Sequence, residues 1–177
     1  MMQRRNFVKL GMLSAPALML AQTKPAANDA HAVSAGTDVL GEAHTLGFSK
    51  ILFKTTAAET NGGLFILEHN NLEKGGPFRH VHPAQDEWLY AMEGEFRVEI
   101  GTQKLTLHPG DSVLMPRKLP HVWAQTGDTP GKLIVAFTPA GNMEAFFREF
   151  GKTGKLPTDA TVLTQYGLER LGPPLSI

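Results

Sequence analysis

The chain of 177 residues contains no cysteine. This absence excludes disulfide bonds, thiolate metal sites and a cysteine-linked lipid anchor, and it leaves the redox compartment open. The sequence also lacks a basic stripe beyond its first 32 residues, which argues against a nucleic-acid partner. The length suits one well-buried domain better than two. The 18 glycines and 12 prolines indicate many turns.

The N-terminal apolar stretch, residues 10–21, is about a dozen residues long, too short to span a bilayer. It follows the paired Arg4 and Arg5 and precedes a run of small residues. This layout is typical of an export signal over residues 1–32, and the paired arginines resemble a twin-arginine signal. We therefore expect export to the periplasm, with no stable membrane anchor after cleavage. A disordered basic amphipathic tail is the alternative, and the cleavage site stays open.

The body of the chain consists of short apolar segments that are rich in β-branched and aromatic residues. Turn signals such as Asn61-Gly62-Gly63 separate them. About eight such segments at even spacing predict an all-β sandwich or barrel. The predicted strands cover residues 51–55, 63–69, 87–93, 95–100, 104–108, 112–116, 121–126 and 132–138.

The periodicity changes after the last of these strands. Apolar side chains within residues 143–150 recur at helical spacing, and Asn142 and Gly151 are suitable residues to start and end a helix. A second helix is expected from residue 158 or 159 to about residue 171. The sequence thus predicts a C-terminal helical extension over residues 141–177.

The stretch 75–96 contains a group of candidate metal ligands. His80 and His82 are two residues apart, so they share one face of a strand. Glu87 follows a turn that can reverse the chain, and its carboxylate can then face the same interior. Two imidazoles and a carboxylate suit a divalent ion, and His121, at the start of a later strand, is the best fourth ligand.

These residues resemble the first sequence motif of the cupin family, Gly-x5-His-x-His-x3,4-Glu-x6-Gly. His80, His82, Glu87 and Gly94 stand at the matching positions, and the leading glycine is displaced by one to Gly75.

The second cupin motif, Gly-x5-Pro-x-Gly-x2-His-x3-Asn, is similar to the stretch that begins at Gly110 and contains Pro116 and His121. Lys118 replaces its glycine and Gln125 its asparagine, and neither change affects a ligand.

The resemblance implies a cupin jelly-roll β-barrel over residues 45–140, with four ligands that point into its mouth. It implies one divalent transition metal, with manganese, iron, nickel, copper and zinc all open because no soft ligand is present. Two positions of an octahedral shell would stay open. The implied ligands are His80, His82, Glu87 and His121.

Strand alternation extends this interpretation to a substrate pocket. If His121 faces inward, Trp123 and Gln125 do so too, and Leu89 shares the side of Glu87. Ordinary barrel core is the alternative interpretation of these side chains. The predicted pocket residues are Phe78, Leu89, Phe96, Val98, Met115, Trp123 and Gln125.

Residues 132–152 resemble the ending of small single-domain cupins described as quercetin-dioxygenase-like. Together with the apolar pocket, this favours a metal-dependent dioxygenase that acts on a small enolic or aromatic substrate. Glu87 would also be a catalytic base if the apolar site raises its pKa. The alternatives are a non-redox isomerase, decarboxylase or lyase, and a small-molecule-binding protein without turnover.

Three further expectations concern the surface and the partners of the protein. A homodimer would cover the outward apolar side chains of Trp88, Tyr90 and Met92. The partner in the pocket is a small-molecule ligand or substrate. His69 and Asp86 are weak candidates for an additional general acid, and both are expected at the surface.

Overall fold

The computed structural model describes residues 30–177. The expected export signal, residues 1–32, therefore lies almost wholly outside the described part of the chain. Within that part, no helix has both the length and the apolar character needed to cross a membrane.

The described chain is dominated by short strands, with two α-helices near its end. A single turn of 3-10 helix covers Ala58–Thr60. The helices are α1 (Met143–Gly151) and α2 (Ala160–Gln165). The strands are β1 (His44–Leu46), β2 (Ser49–Thr55), β3 (Phe65–Leu72), β4 (Phe78–Val81), β5 (Asp86–Glu93), β6 (Phe96–Ile100), β7 (Gln103–Leu107), β8 (Ser112–Met115), β9 (His121–Gln125), β10 (Gly131–Thr138) and β11 (Glu169–Pro174).

The strands form two antiparallel sheets. One has six strands in the order β1-β2-β3-β10-β5-β8, and the other has five in the order β11-β4-β9-β6-β7. Several neighbours in the sheets are far apart in sequence, such as β3 and β10, which is typical of a jelly roll. The prediction of an all-β jelly-roll barrel is confirmed, and each of the eight predicted segments contains a strand.

Alternation decides which side chains fill the interior. In β6, Phe96, Val98 and Ile100 are buried, whereas Arg97 between them is exposed. An antiparallel sheet with one covered face produces this pattern.

Aromatic packing fixes helix α1 on the barrel. The ring of Phe147 lies 6.1 Å from those of Phe65 and Phe137, and Phe65 contacts Phe53 edge-on at 5.0 Å. Such ring pairs stabilise beyond the area that they bury. The C-terminal extension is therefore part of the core of the protein.

The second half of that extension differs from the prediction. Helix α2 ends at Gln165, because Gly167 adopts a left-handed conformation with φ of +73° and such a residue commonly ends a helix. The chain then forms β11, which pairs with β4 so that Arg170 lies opposite His80. The expected continuation of the helix to about residue 171 is wrong, since pairing with an open sheet edge prevails over local periodicity.

Candidate metal centre

Three strands and one loop bring the four predicted ligands together. His80 of β4 lies directly opposite His121 of β9, and His82 follows β4 by one residue. Glu87 is placed on β5 of the other sheet. All four side chains are buried, and their ligand atoms lie within 4.8 Å of one another. The two sheets thus face each other across this group.

The separations match those of atoms that share one ion. Glu87 Oε2 lies 3.2 Å from the Nε2 atoms of His82 and His121, and 3.6 Å from that of His80. The Nε2 atoms of His80 and His121 are 3.2 Å apart. Metal–ligand bonds of about 2.0–2.2 Å place neighbouring ligands roughly 3 Å apart.

Backbone carbonyls orient the three imidazoles. The Nδ1 atom of His80 donates to Phe78 O at 2.7 Å, and that of His121 donates to Leu119 O at 2.9 Å. His82 Nδ1 donates to Gly167 O at 3.2 Å. A carbonyl can only accept, so Nδ1 carries the proton and Nε2 keeps its lone pair for a metal.

The Nε2 atom of His82 gives an independent test of fit. It is buried and has no hydrogen-bond partner within residues 30–177. An unpartnered buried acceptor is destabilising, and a cation beside it would remove that cost. Three such nitrogens and a carboxylate therefore fit a divalent transition ion.

Burial and mutual contact set the charges of the group. Burial lowers the pKa of His80 to about 4, although Glu87 opposes the shift. Burial also acts to lower the pKa of His121, but its contact with Glu87 prevails and the pKa is raised. For Glu87, burial acts to raise the pKa, but the three imidazoles together hold it well below its ordinary value. In this metal-free group Glu87 is therefore ionised, the form in which a carboxylate could hold a metal ion, and its role as a catalytic base stays a prediction.

A cavity of about 50 Å³ lies beside the ligands. His80, His82 and Glu87 contribute to its wall, and most of the remaining wall is apolar. Of the predicted pocket residues, Phe78 and Trp123 line this cavity.

The other predicted pocket residues lie elsewhere. Gln125 donates its amide to Thr129 O at 2.6 Å and supports a turn. Alternation predicts the side of a sheet on which a residue lies but not its depth in the barrel, which explains the difference. The remaining four are buried in the barrel core away from the cavity wall: Leu89, Phe96, Val98 and Met115.

The C-terminal extension closes the cavity, which the sequence did not predict. Its side chains form much of the apolar wall, and the carbonyl of Gly167 orients His82. The Phe-rich periodicity of α1 indicated burial but gave no partner. The wall residues from this segment are Met143, Phe146, Phe147, Leu156 and Leu168.

Of the two weak candidates for a general acid, Asp86 lies at the surface and His69 lies in the cavity wall. Asp86 forms a surface ion pair with Arg117, which holds the pKa of its carboxyl at about 2, so it cannot be a general acid near neutral pH. His69 is 2% exposed and lines the cavity, so its expected surface position is wrong. It alternates with the buried Phe65 and Leu67 along β3, and that pattern could have revealed its inward position.

The two-sheet β-barrel thus buries three histidines and one glutamate beside a cavity. Residues 69–137 match the family model described as a cupin domain. The chain thus has a cupin fold, with a buried group of three histidines and one glutamate that could bind a metal ion.

Known proteins of low sequence identity are similar to this chain in sequence or in fold. SchB of Streptomyces halstedii is 28% identical over 89 residues, which are 50% of this chain and 63% of SchB, less than two thirds of its length. An RmlC-like cupin of Shewanella frigidimarina is 27% identical with a TM-score of 0.51, over 63% of this chain and 93% of that one. The nucleoside dehydratase Pac13 of Streptomyces has a TM-score of 0.50 over 75% of this chain and 85% of that one, but at 6% identity it shows a similar fold alone.

Proposed function

We propose that the protein is a metal-dependent dioxygenase or related oxidoreductase that acts on a small enolic or aromatic substrate. The observation that carries the proposal is the convergence of four ligand atoms beside a cavity with a mainly apolar and aromatic wall. Binding sites of this kind accept flat apolar groups and orient them through a few polar contacts.

The ligand set favours a borderline first-row ion, because it offers imidazole and carboxylate and no thiolate. When bound, a redox-active divalent ion would supply dioxygen chemistry and Lewis acidity toward an ionised substrate oxygen. One carboxylate, Glu87, leaves the ion with a net positive charge. An enolate or phenolate oxygen would therefore be favoured over a neutral group.

The cavity limits the size of the reacting group. A volume of about 50 Å³ holds roughly three to five water molecules, since one needs about 10–15 Å³. Phe146, Phe147 and Leu156 contribute to its wall from the C-terminal side. A substrate would thus insert only its reacting end, with water excluded by the aromatic wall.

Metal analysis and oxygen uptake test the proposal together. We expect about one transition-metal ion per chain and dioxygen uptake with at least one member of a panel of enols and phenols. His121→Ala should lose the metal and the uptake. His108→Ala is a matched control, because His108 is an exposed histidine outside the group.

Three outcomes would contradict the proposal. Turnover of the panel without dioxygen would indicate isomerase, decarboxylase or lyase chemistry. Tight binding without turnover would indicate a binding protein. Equal metal content in His121→Ala and the parent chain would remove His121 from the ligand set.

We also propose that residues 1–32 direct export to the periplasm. The support is the paired Arg4 and Arg5 ahead of a short apolar stretch. A reporter fused behind residues 1–32 should be exported after folding, and replacement of both arginines by lysine should stop it. Export that continues in the lysine variant would contradict a twin-arginine route.

A further inference from the structure

His69 is a buried histidine that lines the same cavity but does not belong to the group of candidate metal ligands. It lies on β3 between Ile51 of β2 and Leu133 of β10, and its side chain is buried. Aromatic rings surround it, with the centroid of Trp123 at 5.3 Å and that of Phe147 at 6.3 Å. Apart from the metal-ligand group, it is the one titratable side chain that the described residues contribute to the cavity wall.

The hydrogen-bond partner of His69 is a side-chain hydroxyl, whereas those of the ligand histidines are backbone carbonyls. Its Nδ1 atom lies 2.6 Å from the hydroxyl oxygen of Ser49, which is also buried. That hydroxyl makes no other hydrogen bond within residues 30–177, so accepting from Nδ1 would leave its own proton buried without an acceptor. When Ser49 instead donates its O–H to Nδ1, the hydroxyl proton is satisfied, and the one unpaired proton of the pair is on the ring of His69, which lines the cavity where a ligand can accept it. The ring proton of the neutral imidazole is then on Nε2.

The cavity therefore contains imidazoles of two opposite tautomers. His80 and His82 donate through Nδ1 to carbonyls and keep a lone pair on Nε2. His69 accepts at Nδ1 and carries an N–H at Nε2, for which no acceptor exists in the described chain. Burial lowers the pKa of His69 to about 4, against a smaller opposing effect of Glu87, so the ring is neutral at physiological pH.

We propose that His69 is a positioning and specificity residue whose Nε2–H donates a hydrogen bond to an acceptor oxygen of the substrate. The class of group that it would take is a carbonyl, carboxylate or enolate oxygen. This inference rests on the proposed function only in that a metal at the His80, His82, Glu87 and His121 group would hold another oxygen of the same molecule.

Nitrogen-15 NMR of the zinc-loaded protein tests the tautomer directly. We expect the proton of His69 on Nε2 and those of the three ligand histidines on Nδ1. In Ser49→Ala the preference of His69 should weaken, because the hydroxyl that selects it is gone. A His69 ring protonated on Nδ1 in the parent protein would overturn the proposal.

Ligand binding tests the donor role without any turnover. The probes are acetate and pyruvate, which carry acceptor oxygens at different separations, titrated into zinc-loaded protein by calorimetry. His69→Phe should weaken at least one probe by about tenfold, while His69→Gln, which keeps an N–H donor, should retain most of the affinity. Zinc content should stay at about one per chain in both variants.

Two binding results would reject the role. Affinity for both probes that is unchanged in His69→Phe would show that His69 makes no contact with ligands. Equal losses in His69→Phe and His69→Gln would show that only packing is affected. Failure of the dioxygenase proposal is separate, because it would appear as absent oxygen uptake while zinc content and the dependence of probe binding on His69 persist.

Discussion

Gly167→Ala tests whether the C-terminal extension completes the metal centre. Gly167 has a φ of +73°, where a side chain costs about 1–2 kcal/mol. An added Cβ would also lie 3.1 Å from Nε2 and 3.2 Å from Oε1 of Gln85. Gln85 is buried, so we expect its side chain to relieve only part of this contact and the backbone at Gly167 to shift, together with the carbonyl that orients His82.

The effect on metal affinity can be bounded. Loss of an outer hydrogen bond to a ligand histidine typically costs 10–100-fold in metal affinity. In Gly167→Ala the carbonyl is displaced and not removed, so we expect the lower end, about a tenfold weaker zinc affinity. The metal-free protein should also lose about 1–2 kcal/mol of unfolding free energy from the backbone strain.

Gly41→Ala separates the two effects. Gly41 has a φ of +68°, and an added Cβ there meets nothing within 4 Å. It should therefore show the strain without the loss of zinc affinity. The assays are urea denaturation of the metal-free proteins and competition with a chromophoric zinc chelator. Equal zinc affinities for the Gly167→Ala and Gly41→Ala proteins would refute the argument that this carbonyl orients His82.

Three further expectations follow from packing, charge and exposure. Phe147→Ala should lower the unfolding free energy by about 3–5 kcal/mol in urea denaturation, because it truncates a buried ring of the core; a loss below about 1 kcal/mol would contradict the anchoring of α1. The raised pKa of His121 means that a proton binds the metal-free group more tightly than an ordinary imidazole, so zinc affinity should fall about tenfold per pH unit below that pKa. Calorimetry at pH 6 in two buffers should detect a proton released on zinc binding, and no release would contradict the shift. The side chains of Trp88, Met92 and Leu114 are exposed on the outer face of the six-stranded sheet; we expect a dimer mass in solution that Trp88→Lys converts to a monomer, and a monomeric parent protein would remove that proposal.

The spacing of residues and the alternation along strands were sufficient to predict most of the fold and the group of candidate ligands. His80 and His82 share one side of a strand by alternation, and the short turn after them carries Glu87 to the facing sheet, so all three meet within a few residues of sequence. His121 is 34 residues from Glu87, and its position follows from the order of strands in the barrel. Alternation along β3 would also have placed His69 inward, because Phe65 and Leu67 share its side.

Contacts over long sequence separations could not be predicted in the same way. The carbonyl of Gly167 meets His82 across 85 residues, and β11 reaches β4 where periodicity indicated a helix. Both depend on how the extension folds back over the barrel. The depth of a side chain is similarly global, which is why Met115 and Phe96 fill the core while Trp123 reaches the cavity.

The atom that contacts Nδ1 decides what each cavity histidine can do. A carbonyl partner leaves a lone pair on Nε2 for a cation, whereas the hydroxyl of Ser49 leaves an N–H there for a substrate oxygen. Ser49 and helix α1 lie outside residues 69–137, the part that matches the cupin domain. In this chain, features that would set the substrate therefore lie outside the part that matches the cupin domain. In this chain, the reaction would depend on the segments that close the barrel at least as much as on the ligands inside it.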